Sequence, residues 1–130
     1  MSGMRAFEVA TSLPRAAEAA GLARAFTAKT LAAWGMADEV TDDILLACSE
    51  LVTNAVEHGA GMVTLVLRHD GPLVELRVGD EGGGTPEAHP FGPRSVRSRG
   101  LAIVQALSAE WGWSPGEDGK SVWARFQVSS

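Results

Sequence analysis

The chain has 130 residues, 45% of them hydrophobic and 21% charged, with a formal net charge of −5. This size and apolar content suit one domain spanning 1–130 that buries a core without staples, and they exclude a chain disordered throughout. A lone cysteine, Cys48, excludes an internal disulfide framework and a four-cysteine zinc site. The acidic pI of ≈ 5.1 excludes the basic footprint of a general nucleic-acid binder.

The start, Met1-Ser2-Gly3-Met4-Arg5, lacks the apolar stretch of a secretory signal. No apolar run approaches the ~18 residues of a membrane span, so the cytoplasm is the expected compartment. Ala6 to Ser12 reads as a short strand, ended by Pro14. Pro14 suits the first turn of a helix, where its missing N–H costs nothing. A first helix then runs from Arg15 to about Trp34, with Leu22, Ala25, Phe26 and Ala33 on or near one face and Gly35 as its stop. A second helix starts near Thr41-Asp42-Asp43, which cap well and favour the positive end of the dipole, and stops at Gly59. Ile44, Cys48, Leu51, Val52 and Ala55 form its apolar stripe.

Two strands, Met62 to Arg68 and Leu73 to Gly79, flank His69-Asp70-Gly71-Pro72, whose Asp-Gly step signals a hairpin. Residues 81–98 alternate glycines with Pro86, Pro90 and Pro93. A loop of roughly 18 residues is longer than most connections and points to function or disorder. A third helix follows Arg99-Gly100, from Leu101 to about Ala109, and two strands close the chain, Glu110 to Ser114 and Ser121 to Val128. Helices followed by hairpins give an α+β two-layer sandwich: a mainly antiparallel sheet of about four to five strands, with about three helices on one face.

Three features stand out as chemical. Glu50, Asn54 and His58 sit four residues apart on the second helix. Four residues advance about 400°, so they climb one face in a slowly turning line, read as opposite the stripe centred on Cys48 and Ala55. That line is either the solvated face or a set of hard oxygen ligands suited to Mg²⁺, with Glu50 as a base. Asp80 ends a strand on whose apolar face Val74, Leu76 and Val78 also lie, and an unpaired carboxylate there is costly. It either caps the Gly82-Gly83-Gly84 turn or awaits a ligand donor. Arg94, Arg97 and Arg99 crowd into six positions just before a helix N-terminus. They form either a solvated loop or an anion site where arginines and backbone amides meet phosphate.

Together these stretches resemble the GHKL ATPase superfamily of gyrase, the ninety-kilodalton heat-shock chaperone and the ATP-binding domain of histidine kinases. Glu50-Leu51-Val52-Thr53-Asn54-Ala55-Val56-Glu57-His58 matches its asparagine box, Asp80-Glu81-Gly82-Gly83-Gly84 its D-x-G-x-G box, and Arg99-Gly100-Leu101-Ala102-Ile103-Val104 its second glycine box. The three boxes stand in order and cover nearly the whole chain. The closing Gly119-Lys120-Ser121-Val122-Trp123 is similar to the anti-sigma factor serine kinase branch, small actinobacterial ATP-binding regulators. The second glycine box carries one glycine where sensor kinases often have several. No phosphoacceptor-histidine helix pair precedes the boxes, so a complete histidine kinase is not expected.

The resemblance implies the Bergerat ATP-binding fold, with ATP and Mg²⁺ as cofactors. It implies that Asn54 ligates Mg²⁺, that Glu50 is the catalytic base, and that Asp80 accepts a hydrogen bond from the adenine amino group. Gly82 and Gly84 would let the chain pass the base and sugar. Residues 85–98 would form a lid, and Gly100 and Leu101 would present amides to the phosphates with Arg99 nearby. The implied partners are a STAS-type anti-anti-sigma protein and a sigma factor; a homodimer is left open, and the acidic pI and short apolar runs give the expectation of no direct nucleic acid and no membrane. The implied activity is a serine/threonine kinase. The alternative of the same fold is a non-catalytic, ATP-responsive binding module. In a third reading the boxes are coincidental and no nucleotide binds.

Overall fold

A computed structural model describes residues 6–82, 96–116 and 119–128. The element order is β1 (Ala6–Leu13), α1 (Ala19–Ala33), α2 (Asp38–His58), β2 (Val63–Asp70), β3 (Leu73–Asp80), α3 (Val96–Leu107), β4 (Glu110–Gly116) and β5 (Gly119–Gln127). The strands form one five-stranded sheet in the order β1-β2-β3-β5-β4, with every neighbouring pair antiparallel. This is the α+β sandwich that the sequence predicts.

Alternation along the strands divides the sheet into two unlike faces. Val63, Leu65 and Leu67 of β2, Val74, Leu76 and Val78 of β3, and Ala124 and Phe126 of β5 are buried against the helices. Between them they share one core with Ile44, Ala47, Cys48, Leu51 and Val52 of α2 and Val104 of α3. On the other face Arg125 donates to Glu75 at 3.0 Å and to Glu110 at 3.1 Å, and its guanidinium lies 4.4 Å from the Trp123 ring centre. Arg77 bonds Glu75 and Ser121. Of these, the contacts of Arg125 with Glu75 and Glu110 and of Arg77 with Ser121 cross strands and favour the register of β3, β5 and β4, although exposed ion pairs add little net stability. The β2–β3 hairpin turns at Gly71, whose φ of 61° suits glycine at the first of two loop positions.

The helices depart from the sequence reading at their starts. α1 begins at Ala19, four residues late, because Arg15 is drawn out of the helix to donate to the carbonyls of Val56 and Gly59 at the end of α2. Its buried face is Ala19, Ala23, Thr27 and Leu31, not the expected set, and Leu22 is exposed. Small residues face α2 there, so the helices approach closely. Gly35 (φ 76°) does end α1, with the Met36 amide bonded back to the Leu31 carbonyl. α2 begins at Asp38, three residues before Thr41, with Asp38 and Glu39 in its first turn against the positive dipole end. α3 begins at Val96, five residues before Leu101. The run Val96-Arg97-Ser98-Arg99 contains no proline, and one glycine costs a helix only about 1 kcal/mol against alanine.

Cys48 is fully buried, with its sulfur 3.6 Å from the Thr27 hydroxyl, and burial pushes its pKa up to about 11. The unfolded thiol ionises near 9.0. Between those values the unfolded chain has lost a proton that the native chain keeps, so stability falls as pH rises across the window. Replacing Cys48 with alanine is expected to remove roughly 2–3 kcal/mol of that alkaline decline. Urea unfolding of both proteins at about pH 8 and about pH 11 measures it. An equal decline in the two refutes it.

Candidate functional site

The C-terminal half of α2 and the adjacent ends of β3 and β5 enclose a cavity of ≈ 30 Å³. Leu51, Asn54, Ala55, His58 and Gly59 line it from the helix, and Val78, Asp80, Lys120 and Val122 line it from the sheet. The expectation that Glu50, Asn54 and His58 run opposite the apolar stripe is corrected here. Each step of four residues turns the line about 40° further round the helix. Glu50 therefore stays away from the cavity, whereas Asn54 and His58 reach its wall beside buried Ala55. Glu50 is half-buried, one turn before Asn54.

Asn54 carries an unusual burden. Its side-chain nitrogen is buried and has no hydrogen-bond partner, alone in this among the described residues. Such an orphan costs about 1–3 kcal/mol unless something meets it. The two ends of a carboxamide exchange by a half-turn, so the same position can offer either an oxygen or an N–H. A hard cation with phosphate oxygens around it fits the first option. No group of three or more His, Cys, Asp or Glu converges on a metal position among the described residues. A cation here would therefore draw most of its ligands from outside the protein, as Mg²⁺ on a polyphosphate does.

Asp80 lies on the apolar face of β3 with a side chain only 6% exposed. Its Oδ1 accepts the Gly82 amide at 2.7 Å and the Lys120 ammonium at 3.1 Å. The turn-capping reading of Asp80 is thus true of the structure, and capping occupies one of its two oxygens. Cross-strand register sets the second contact, because Asp80 and Lys120 are direct partners in the β3–β5 ladder. Two glycines, Gly59 and Gly82, admit this carboxylate, and a third, Gly119, admits the Asp80 backbone. A Cβ on Gly59 would come within 2.5 Å of Asp80 Cγ, one on Gly82 within 3.0 Å of Asp80 Oδ1, and one on Gly119 within 1.9 Å of the Asp80 carbonyl. The Glu81 amide bonds the Ala60 carbonyl at 2.8 Å and locks the segment after β3 to the segment after α2.

The structure therefore brings Asn54, His58 and Asp80 together, with Gly82 bound to Asp80. Gly84 and most of the expected lid, 85–98, lie outside the described residues. Arg99 and Gly100 are helical in backbone, inside α3. The early start of α3 moves Gly100 and Leu101 from the helix mouth into its second turn, where the helix's own ladder takes amides. The Leu101 side chain is core. Three further residues of the site and its frame carry little local signal: Gly59, which reads as a helix stop, Lys120 and Arg15. Lys120 had one available signal: it stands in phase with Val122, Ala124 and Phe126 on the buried face of β5.

A carboxylate acceptor in a small, largely apolar cavity can read an amino group. An orphaned amide on the facing helix can meet a cation or a phosphate oxygen. The two together place a carboxylate acceptor and an unmet amide on facing walls of one small cavity.

The sequence profile described as the histidine kinase-like ATPase domain matches residues 13–126. A comparison with curated proteins finds no match. Among solved structures, that of the RsbU and RsbW domains of Rv1364c from Mycobacterium tuberculosis is similar, with 26% identity and a TM-score of 0.74. The match covers 94% of this chain and 32% of that one, so the chain spans about a third of its neighbour's length. With its profile matched over most of its length and its fold shared, the chain belongs to the histidine kinase-like ATPase family.

Proposed function

We propose that the chain is an ATP-binding regulator that phosphorylates a serine or threonine of a STAS-type anti-anti-sigma protein and binds a sigma factor on an overlapping surface. One observation carries the nucleotide part: the buried, unpartnered side-chain nitrogen of half-buried Asn54 and a buried carboxylate at Asp80 face one cavity in a chain of an ATPase family. Likeness to a structure that includes an RsbW domain supports the regulatory branch.

In this reading Asp80 accepts the adenine amino N–H, and Gly82 and Gly84 let the chain pass close to base and sugar. Asn54 would hold Mg²⁺ through its carboxamide oxygen, and the ion would supply neutralisation of phosphate charge. Arg99, Gly100 and Leu101 serve the phosphate side, and delivering the last two amides requires the first turn of α3 to unwind. Glu50 accepts the proton of the partner's hydroxyl as its oxygen bonds to the γ-phosphorus and the bond to the leaving ADP oxygen breaks. The added phosphate brings about −1.5 to −2 charges to the partner and disfavours its docking on an acidic chain. A second reading, an ATP-responsive binding module without transfer, is favoured by the position of Glu50 outside the cavity.

Binding is tested first. Mg·ATP is expected to stabilise the native chain by about 2.7 kcal/mol at a hundredfold excess over Kd. Replacing Asp80 with asparagine is expected to weaken ATP binding by roughly 1.5–3 kcal/mol, the worth of a charged hydrogen bond. The variant also loses its ion pair with Lys120, so each protein's shift is read against its own ligand-free melting curve. A wild-type curve unmoved by millimolar Mg·ATP ends the proposal.

The metal role predicts that Asn54→Ala binds ATP with a reduced, though not abolished, dependence on Mg²⁺. Calorimetric titrations with and without the cation decide it, and an undiminished dependence assigns the ligand elsewhere.

Transfer is tested at Glu50. Glu50→Ala is expected to keep its ATP affinity and to lose about 10²–10⁴-fold in partner phosphorylation, the range for a general base. Equal phosphorylation by both proteins refutes the role, and no phosphorylation by either supports the binding-module reading.

A further inference from the structure

Lys120 is a charge in phase with Val122, Ala124 and Phe126 along β5. Its side chain is 9% exposed, on the buried face of β5, and it lines the same cavity as Asn54 and Asp80. A lysine ammonium carries three donors and no acceptor. Among the described residues one partner, Asp80 Oδ1 at 3.1 Å, meets it. Donors left over at this depth are costly unless an acceptor arrives. The two charged ends thus stand side by side at the cavity wall: an acceptor on Asp80 and an unspent donor on Lys120. The adenine ring edge has the matching order, an amino donor on C6 next to the lone pair of N1. The present cavity is too small for that ring. The lysine stem is long and flexible enough to swing aside while the ammonium stays beside Asp80.

We propose that Lys120 is a second base-reading residue, donating to the N1 ring nitrogen while Asp80 accepts from the adjoining amino group. This rests on the ATP-binding reading and adds to it a residue that selects an amino donor next to an unprotonated ring nitrogen. No covalent step is involved. Inosine, with O6 in place of the amino group and a hydrogen on N1, presents the reverse order and is rejected at both contacts.

The test uses the whole chain and base-modified triphosphates in calorimetry. 1-Deaza-ATP, in which N1 is replaced by C–H, is expected to bind the wild type roughly tenfold to a hundredfold more weakly than ATP. Lys120→Met is expected to bind ATP and 1-deaza-ATP equally, and Lys120→Arg to keep part of the discrimination. The wild-type comparison stands even if Lys120→Met fails to fold. Equal binding of ATP and 1-deaza-ATP by the wild type overturns the proposal. Discrimination against purine riboside triphosphate alone, which lacks only the amino group, also overturns it, because Lys120 then merely positions Asp80. Tighter ATP binding by Lys120→Met overturns it as well, marking the lysine as a plug. In all three cases ATP still binds, so the parent reading survives. A wild type that binds no ATP overturns both.

Discussion

A carboxylate buried at the end of β3 is the constraint on which the rest of this structure turns. Asp80 is nearly inaccessible, and an isolated charge at that depth is strongly unfavourable. The fold answers with a backbone amide from Gly82, an ammonium from Lys120, and close approach of three chain segments. That approach needs glycine. Gly59 touches the carboxyl group, Gly82 closes over its oxygen, and Gly119 passes its carbonyl at a distance no side chain permits. A buried ion pair of this kind is weak evidence for stability, because a hydrophobic pair of similar volume often does as well.

The opposite wall is held just as firmly. α2 packs its core face on β3 and β5, and the α1–α2 turn at Gly35 fixes its beginning. Its end is held by Arg15, which takes up the carbonyls of Val56 and Gly59 that no helix amide can reach. A guanidinium at a helix C-terminus also suits the negative end of the dipole. Asn54 therefore projects from a helix fixed at both ends, and Asp80 from a strand paired on both sides. Sites on rigid elements keep their geometry without a ligand, and Asn54 can carry an unmet polar atom because its surroundings do not collapse around it.

The site is thus divided by material. In the proposed reading, the groups that would meet a base and a cation, Asp80 and Asn54, lie on packed strand and helix. The parts assigned to the phosphates lie near α3 and the glycine- and proline-rich stretch before it.

The sequence by itself determined the sandwich, the order of its elements, and the places of Asn54 and Asp80. These are local matters. Period-2 alternation carried β3 and β5, Gly71 marked the hairpin, and Asp80 was visible as a charge in phase with Val74, Leu76 and Val78. The helix starts were less legible. In alanine-rich α1 many positions are equally and weakly apolar, so only contact with α2 selected Ala23 and Thr27 over Ala25 and Phe26 for burial. Arg15 gave no sign of leaving its helix, because the carbonyls it serves are more than forty residues away. Lys120 faces Asp80 only because β5 inserts between β3 and β4, forty residues from its partner, in one register of several that the strand pattern allows. Tertiary structure alone decided which glycine meets which carboxylate and which lysine shares the cavity, because long-range pairing leaves no local trace in the residues that make it.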